Sequence, residues 1–125
     1  MNLCIKNVPV KKSETNFEKR PWGGFQQFTN NELSTVKIIK IDSYSKLSLQ
    51  FHHNRDEKWI VLSGECHVTI GEDSFKAKKG DEFFIPREVK HRAETFSLSA
   101  EILEISSGEF DEEDIVRIND AYGRI

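Results

Sequence analysis

An all-β barrel or sandwich is the fold class this 125-residue chain predicts. Short β-prone runs recur about every 8–12 residues with Gly or Pro between them. Within one run the alternation is clean. Leu47, Leu49, Phe51 and His53 point one way, and Ser48, Gln50, His52 and Asn54 the other. No segment sustains the 3.6-residue apolar period that a helix bundle needs.

The elements follow in order. Residues 1–19 are polar and weakly patterned after Leu3-Cys4-Ile5, which predicts an arm or an irregular edge strand. Phe25 and Phe28 suggest a first strand, and Val36, Ile38, Ile39 and Ile41 a second. Leu47 to His53 is the third. Glu57 to Ser63 is the next, broken by Gly64, and Cys66 to Ile70 follows. Gly71-Glu72-Asp73 turns into Phe75 to Lys79, Gly80-Asp81 turns into Glu82 to Ile85, and Pro86 ends that run. His91 to Phe96 and Leu98 to Ser106 complete the strands, while Asp111 to Asp120 reads as a short helical turn.

The length suits one domain, residues 1–125, with a core that needs no disulfide staple. Eighteen basic against 21 acidic residues give a net charge of −3, which argues against a nucleic-acid or membrane-surface partner. The two cysteines, Cys4 and Cys66, lack CxxC spacing and predict reduced thiols in a cytoplasmic protein. No apolar run approaches ~20 residues, and the N-terminus does not read as a secretion signal.

Chemistry concentrates on Gln50, His52, Glu57 and His91. Gln50 and His52 are two apart and share one strand face; Glu57 re-enters from the next strand, and His91 must arrive from a distant one. One amide oxygen, two imidazoles and a carboxylate suit a single divalent ion: zinc first, with manganese, cobalt, nickel, iron or magnesium as alternatives. His53 faces away from His52, and His67 sits on a polar strand face with Glu65 and Thr69, so neither joins the set.

The framing Glu57-x6-Gly64 and Gly80-x5-Pro86-x4-His91 resembles the two motifs of the cupin family. That resemblance implies a double-stranded β-helix, a jelly-roll barrel with a metal in its mouth. Closer still, Arg20-Pro21-Trp22-Gly23, Leu47-Ser48-Leu49-Gln50 with His52, His53, Arg55, Glu57 and Trp59, and Ser107-Gly108-Glu109-Phe110 leading to Asp120, Tyr122, Gly123 and Arg124 are similar to the type II mannose-6-phosphate isomerases. These also occur as the C-terminal part of bifunctional mannose-1-phosphate guanylyltransferases. The chain departs from that pattern at Ser43-Tyr44 (Pro-Gly in the family), at Asn54 and Lys58 (His), at Arg87-Glu88 (a small residue and Gly) and at Thr95 (Asn). No departure removes a metal ligand, but several alter the rim.

The implied reaction interconverts mannose 6-phosphate and fructose 6-phosphate through an enediol. It needs a metal at the carbonyl, a base for the C1 and C2 protons and a cationic clamp for the phosphate. Glu104, in the otherwise apolar Ile102-Leu103-Glu104-Ile105, is the first catalytic candidate, because a carboxylate there is costly unless paired or functional. Lys58, in a family histidine position, is the second, although alternation turns it away from Glu57. Arg20, Lys37, Arg117 and Arg124 are the clamp candidates. Two other readings follow from the same motifs: a cupin acting on a related nucleotide-sugar as epimerase or isomerase, and a non-catalytic sugar-binding cupin. A small barrel with a long arm also predicts a homodimer formed by exchange of edge strands.

Overall fold

A computed structural model describes residues 17–124. Most of the expected N-terminal arm, with Cys4, lies outside these residues. The described chain begins with a hairpin, β1 (Phe17–Arg20) and β2 (Gly23–Gln26), closed by the Pro21-Trp22 turn. Eight strands follow: β3 (Ser34–Ile41), β4 (Leu49–Phe51), β5 (Arg55–Ile70), β6 (Asp73–Lys78), β7 (Glu82–Ile85), β8 (His91–Glu94), β9 (Ala100–Gly108) and β10 (Val116–Asn119). They form one hydrogen-bonded path, β10-β4-β8-β5-β9-β3, with β6 and β7 also paired to β5. Every pairing is antiparallel.

β5 makes this path a barrel. Its first half pairs with β7 and β9, and its second half with β6 and β8, so one strand belongs to two opposed faces. The sequence places a break at Gly64; the structure corrects this to a bend. Register slips by one residue between Val61 and Ser63, and Gly64 takes φ +76°. The slip inverts the pleat. Arg55, Glu57, Trp59 and Val61 are buried before it, and Cys66, Val68 and Ile70 after it. A strand that kept its alternation would have turned one of those sets to solvent. Only glycine fits the bend, since a Cβ there would overlap the Ser99 carbonyl. Gly64→Ala is therefore expected to cost at least about 2 kcal/mol. Differential scanning calorimetry should register a fall of order 10 °C in the thermal midpoint, and an unchanged midpoint would remove the bend from the account.

Trp59, Val61, Phe83, Ile85 and Ile102 from one face interlock with Val68, Ile70, Ala77 and Ala93 from the other. Cys66 is a free, buried thiol in this core. The expected helical turn over Asp111–Asp120 is also corrected. Asp114 N–H bonds the Asp111 carbonyl in a single turn, and the chain then enters β10 beside β4. No helix occurs among the described residues, so none is long and apolar enough to cross a membrane.

Two departures from the family pattern carry a backbone signature. Tyr44 and Glu88, at positions where the resembled family has Gly, adopt φ of +52° and +71°. Side chains other than Gly, Asn or Asp rarely occupy this left-handed region. Both residues are exposed, which leaves their side chains room.

Candidate metal centre

Cross-strand rows build the site. On one face Thr35, Ser106, Glu57 and Ile85 are register partners, and one pleat along lie Lys37, Glu104, Trp59 and Phe83. On the opposite face Arg117, Gln50, His91 and Ile70 make a third row. Register partners project to the same side of a sheet, so these rows meet across the barrel interior. His52 enters from the end of β4.

His52, Glu57 and His91 bring one potential ligand atom each to within 4.8 Å of one another. All three are 1–2% exposed. His52 Nε2 lies 3.3 Å from Glu57 Oε2, and His91 Nε2 lies 3.6 Å from Glu57 Oε1. Each imidazole is oriented from behind: His52 Nδ1 bonds the Asp114 carbonyl at 2.7 Å, and His91 Nδ1 the Val89 carbonyl at 3.0 Å. A carbonyl only accepts, so both Nδ1 atoms carry the proton and both Nε2 lone pairs lie on the Glu57 side, where an Arg55 Nη stands 3.2 Å from His52 Nε2. Among the described residues His91 Nε2 has no hydrogen-bond partner although fully buried. Burial lowers the pKa of both imidazoles, with the Glu57 charge opposing it, so both are neutral as metal ligands must be.

Glu57 is ionised. Burial pushes its carboxyl up, but the charge that His91 and His52 take on at low pH and the hydrogen bonds from Glu104 and Arg55 outweigh that and hold it below its ordinary value. Arg55 Nε donates to Oε2 at 3.1 Å and Trp59 Nε1 to Oε1 at 3.0 Å. Glu104 is the opposite case. Burial first, then the neighbouring Glu57 charge and the hydrogen bond shared with it, raise its pKa to about 8. One carboxylate and one carboxylic acid thus stand side by side, the arrangement that splits two like groups into different proton states.

These donors fit a divalent ion: two aligned imidazole lone pairs, one of them orphaned, and a carboxylate beside them. Gln50 lies opposite His91 in the β4–β8 pair, and its Oε1 accepts the Ser48 hydroxyl proton. A carbonyl oxygen has a second lone pair, so this contact orients the amide without exhausting it.

The other candidates are distributed unevenly. Lys37 stands on the inner row opposite Glu104, with Nζ 3.7 Å from Glu112 and 4.7 Å from the Phe110 ring centroid. Arg117 is opposite Gln50, and its buried Nε has no hydrogen-bond partner among the described residues. Arg20 is on the exposed β1–β2 hairpin, bonded to Glu18 and stacked on Phe25. Arg124 is held bidentate by Asp120 and lines a separate cleft with Lys40, Lys46 and Tyr122. Lys58 projects from the face of β5 opposite Glu57, its Nζ 6.0 Å from the Phe28 ring centroid. The structure therefore brings His52, Glu57 and His91 together with Glu104 bonded to Glu57, sets Gln50, Lys37 and Arg117 in the cross-strand rows beside them, and leaves Lys58, Arg20 and Arg124 elsewhere. For Lys58 the reason is pleat alternation; Arg20 sits on the separate β1–β2 sheet and Arg124 beyond the end of β10, each paired with a local carboxylate.

Arg55 and Trp59, until here only motif residues, and Asp114 also form part of the site. Arg55 and Trp59 share the parity of Glu57, a signal that strand alternation carries. Asp114 takes the amide protons of His53 and Asn54 on its carboxylate while its carbonyl orients His52. It is 62 residues from His52, and no local pattern announces that contact.

A small antiparallel barrel with two inward imidazoles and a carboxylate at its interior is a cupin. The backbone resembles that of a 3,4-ketoisomerase from Helicobacter canadensis, with TM-score 0.65 and 16% identity over 86% of this chain and 89% of that one. It also resembles a cupin-like protein from Thermotoga maritima, with TM-score 0.61 and 18% identity over 70% and 65%. At such identity the likeness concerns the fold alone. The family is defined by sequence: residues 9–120 match the mannose-6-phosphate isomerase C-terminal family, and the chain belongs to it. The xanthan biosynthesis protein XanB of Xanthomonas campestris is 40% identical over 107 residues, covering 84% of this chain and 23% of XanB. The chain thus spans less than a quarter of that relative's length.

Proposed function

We propose that the chain is a metal-dependent aldose–ketose isomerase of a phosphorylated hexose, with mannose 6-phosphate and fructose 6-phosphate as the pair. The observation that carries this reading is the buried cluster in which two neutral imidazoles aim their lone pairs at Glu57 while a protonated carboxyl, Glu104, stands against it. Membership of the mannose-6-phosphate isomerase C-terminal family supports the substrate, and the name of XanB supports a place in polysaccharide biosynthesis.

His52, Glu57, His91 and Gln50 would hold the ion, which supplies a Lewis acid for the sugar carbonyl and the developing oxyanion. Gln50 adds no charge to that set, which leaves the ion more electron-poor than a second carboxylate would. Glu104 moves the proton between C2 and C1: its carboxylate form accepts from one carbon and its acid form returns the proton to the other. Burial excludes bulk water, so the transferred proton stays with the substrate. Lys37 and Arg117, on the inner rows of the two opposed faces, hold the phosphate and so orient the sugar. Arg117 is the stronger of the two, since its buried Nε lacks a hydrogen-bond partner among the described residues. Arg117→Ala is expected to raise the KM for mannose 6-phosphate at least about tenfold with a much smaller change in kcat. A fall in kcat at unchanged KM would remove Arg117 from the clamp.

The direct assay is turnover of mannose 6-phosphate by the purified chain, before and after chelation and after restoring zinc, manganese or cobalt. Turnover that disappears with chelator and returns with metal is expected. Chelator-resistant turnover would contradict metal dependence, and metal without turnover would favour the sugar-binding reading.

A homodimer is part of the same proposal, in a cytoplasmic setting. Among the described residues β3 is a sheet edge, and Val36 and Ile38 on it expose 57% and 52% of their surface. An uncovered apolar edge invites a second strand. Light scattering at micromolar concentration should give twice the 14.5 kDa chain mass; a monomer would end the proposal.

A further inference from the structure

The two imidazoles of the centre are oriented in different ways. His91 Nδ1 donates to the Val89 carbonyl, two residues away in sequence. His52 Nδ1 donates at 2.7 Å to the Asp114 carbonyl, 62 residues away on the segment that leads into β10. A remote carbonyl orients a ring only while something holds the two segments together, and the Asp114 side chain does so. Its Oδ1 accepts the His53 N–H and its Oδ2 the Asn54 N–H, each at 2.9 Å. One half-buried residue is thus bonded to all three residues between β4 and β5. Strand register puts it there. Val116 and Arg117 pair with Phe51 and Gln50, and the same register carried two residues further faces Asp114 with His53. The His52 carbonyl accepts the Glu88 N–H at 2.7 Å, so the backbone of this turn is held from a second side as well.

We propose that Asp114 is a positioning residue for the centre. Its carboxylate clamps the β4–β5 turn against its own carbonyl, and so fixes the ring orientation in which His52 presents Nε2 on the Glu57 side. The inference rests on the metal centre proposed above. An ionised carboxylate accepts at both oxygens and donates nothing, so it takes two neighbouring amide protons at once. Asparagine offers one oxygen and would set an NH2 group against the second N–H; alanine offers no acceptor. Without the clamp the turn and the Asp114 carbonyl separate, and the His52 ring is free to rotate between its rotamers. A hydrogen-bond partner behind a metal-ligating imidazole fixes both the proton and the direction of the ring. Asp114 gives the ion no donor of its own and acts only through His52.

The test compares the full wild-type chain with Asp114→Ala, Asp114→Asn and Glu113→Ala, each carrying isotope-labelled histidine. Glu113 is exposed and bears the same charge one residue away, so its removal reports loss of charge without loss of the clamp. NMR after chelation follows solvent exchange of the Nδ1 protons of His52 and His91. Competition with a chromophoric chelator then gives the affinity for zinc or cobalt. In Asp114→Ala the His52 proton is expected to exchange at least about tenfold faster, while the His91 proton, bonded to Val89, keeps its rate. Metal affinity should fall about tenfold. Asp114→Asn should lie between, and Glu113→Ala should match wild type in both measurements. Equal acceleration at His52 and His91 would mean general loosening and overturn the positioning role. So would an unchanged His52 proton in a folded Asp114→Ala, or a Glu113→Ala that behaves like Asp114→Ala. A faster His52 proton with unchanged metal affinity would overturn the link to the ion. If Asp114→Ala does not fold, Asp114→Asn decides by the same two readouts. If wild type binds no metal, the metal centre falls, and the His52 proton still decides the clamp.

Discussion

Glu104→Gln is expected to abolish most of the turnover while making the protein more stable at pH 8. The activity loss follows from the proton: an amide cannot cycle between donor and base, and such a group contributes about 10²–10⁴ in rate. The stability gain follows from linkage. In the folded chain Glu104 titrates at about 8, far above the usual carboxyl value, because it is buried beside the Glu57 charge. Below about pH 4.5 both folded and unfolded chains keep the proton, and the group contributes its full share. Between about 4.5 and 8 the unfolded chain releases the proton and the folded one does not, so that share is lost as pH rises. The cost at pH 8 is of the order of a few kcal/mol. Gln keeps the shape and a donor for Glu57 and has no proton to lose. His52 and His91 bend the curve the other way, since their lowered pKa values destabilise the folded chain as pH falls below about 6.5. That contribution is common to both proteins, so the difference between their denaturation curves isolates Glu104. Curves for wild type and variant that run parallel from pH 5 to 8 would show that Glu104 is an ordinary surface-like carboxylate.

The second large effect is expected at Glu57. Glu57→Ala removes the acceptor for Arg55, Trp59 and Glu104 together. It leaves Arg55, 6% exposed, as a buried charge without its carboxylate. Breaking a buried pair from one side costs about 3–5 kcal/mol, and the cavity adds to it. Glu57→Gln separates structure from chemistry. The amide still accepts from Trp59 and fills the space, so stability falls less, but its neutral oxygen is a weak metal donor. Metal affinity in Glu57→Gln should drop at least about a hundredfold, by analogy with the ten- to hundredfold losses from changes merely behind a ligand. Urea denaturation together with a metal titration of both variants checks this. Equal metal affinity in Glu57→Gln and wild type would detach Glu57 from the centre.

Much of this was legible in the chain because strands write their geometry at period two. The parity of Gln50 and His52, and their separation from His53, placed three side chains on their faces without any long-range information. The same parity, carried two residues either side of Glu57, points to Arg55 and Trp59. Gly64 was harder. A glycine in a β-run marks either an end or a bulge, and only the tertiary requirement that β5 serve two opposed faces selects the bulge. The segment Asp111–Asp120 misled for a related reason. Its acidic Asp-Glu-Glu-Asp start resembles a helix N-terminus, whereas the backbone groups of β10 are satisfied by β4, which is remote in sequence. The contacts of Asp114 with His52 and of Phe110 with Arg55 join positions more than fifty residues apart, and only the folded barrel shows them. Arg20 and Arg124 stand in motifs shared with the family, yet a motif does not state which carboxylate its arginine meets, and Glu18 and Asp120 are the partners found.

The central claim is that His52, Glu57 and His91 converge on one divalent ion. Metal-edge X-ray absorption of the cobalt- or zinc-loaded chain tests it most directly. The account predicts a coordination shell with two imidazole rings and oxygen donors at one metal per chain, losing one imidazole in His91→Ala. A shell of oxygen alone, or one unchanged by His91→Ala, would contradict it.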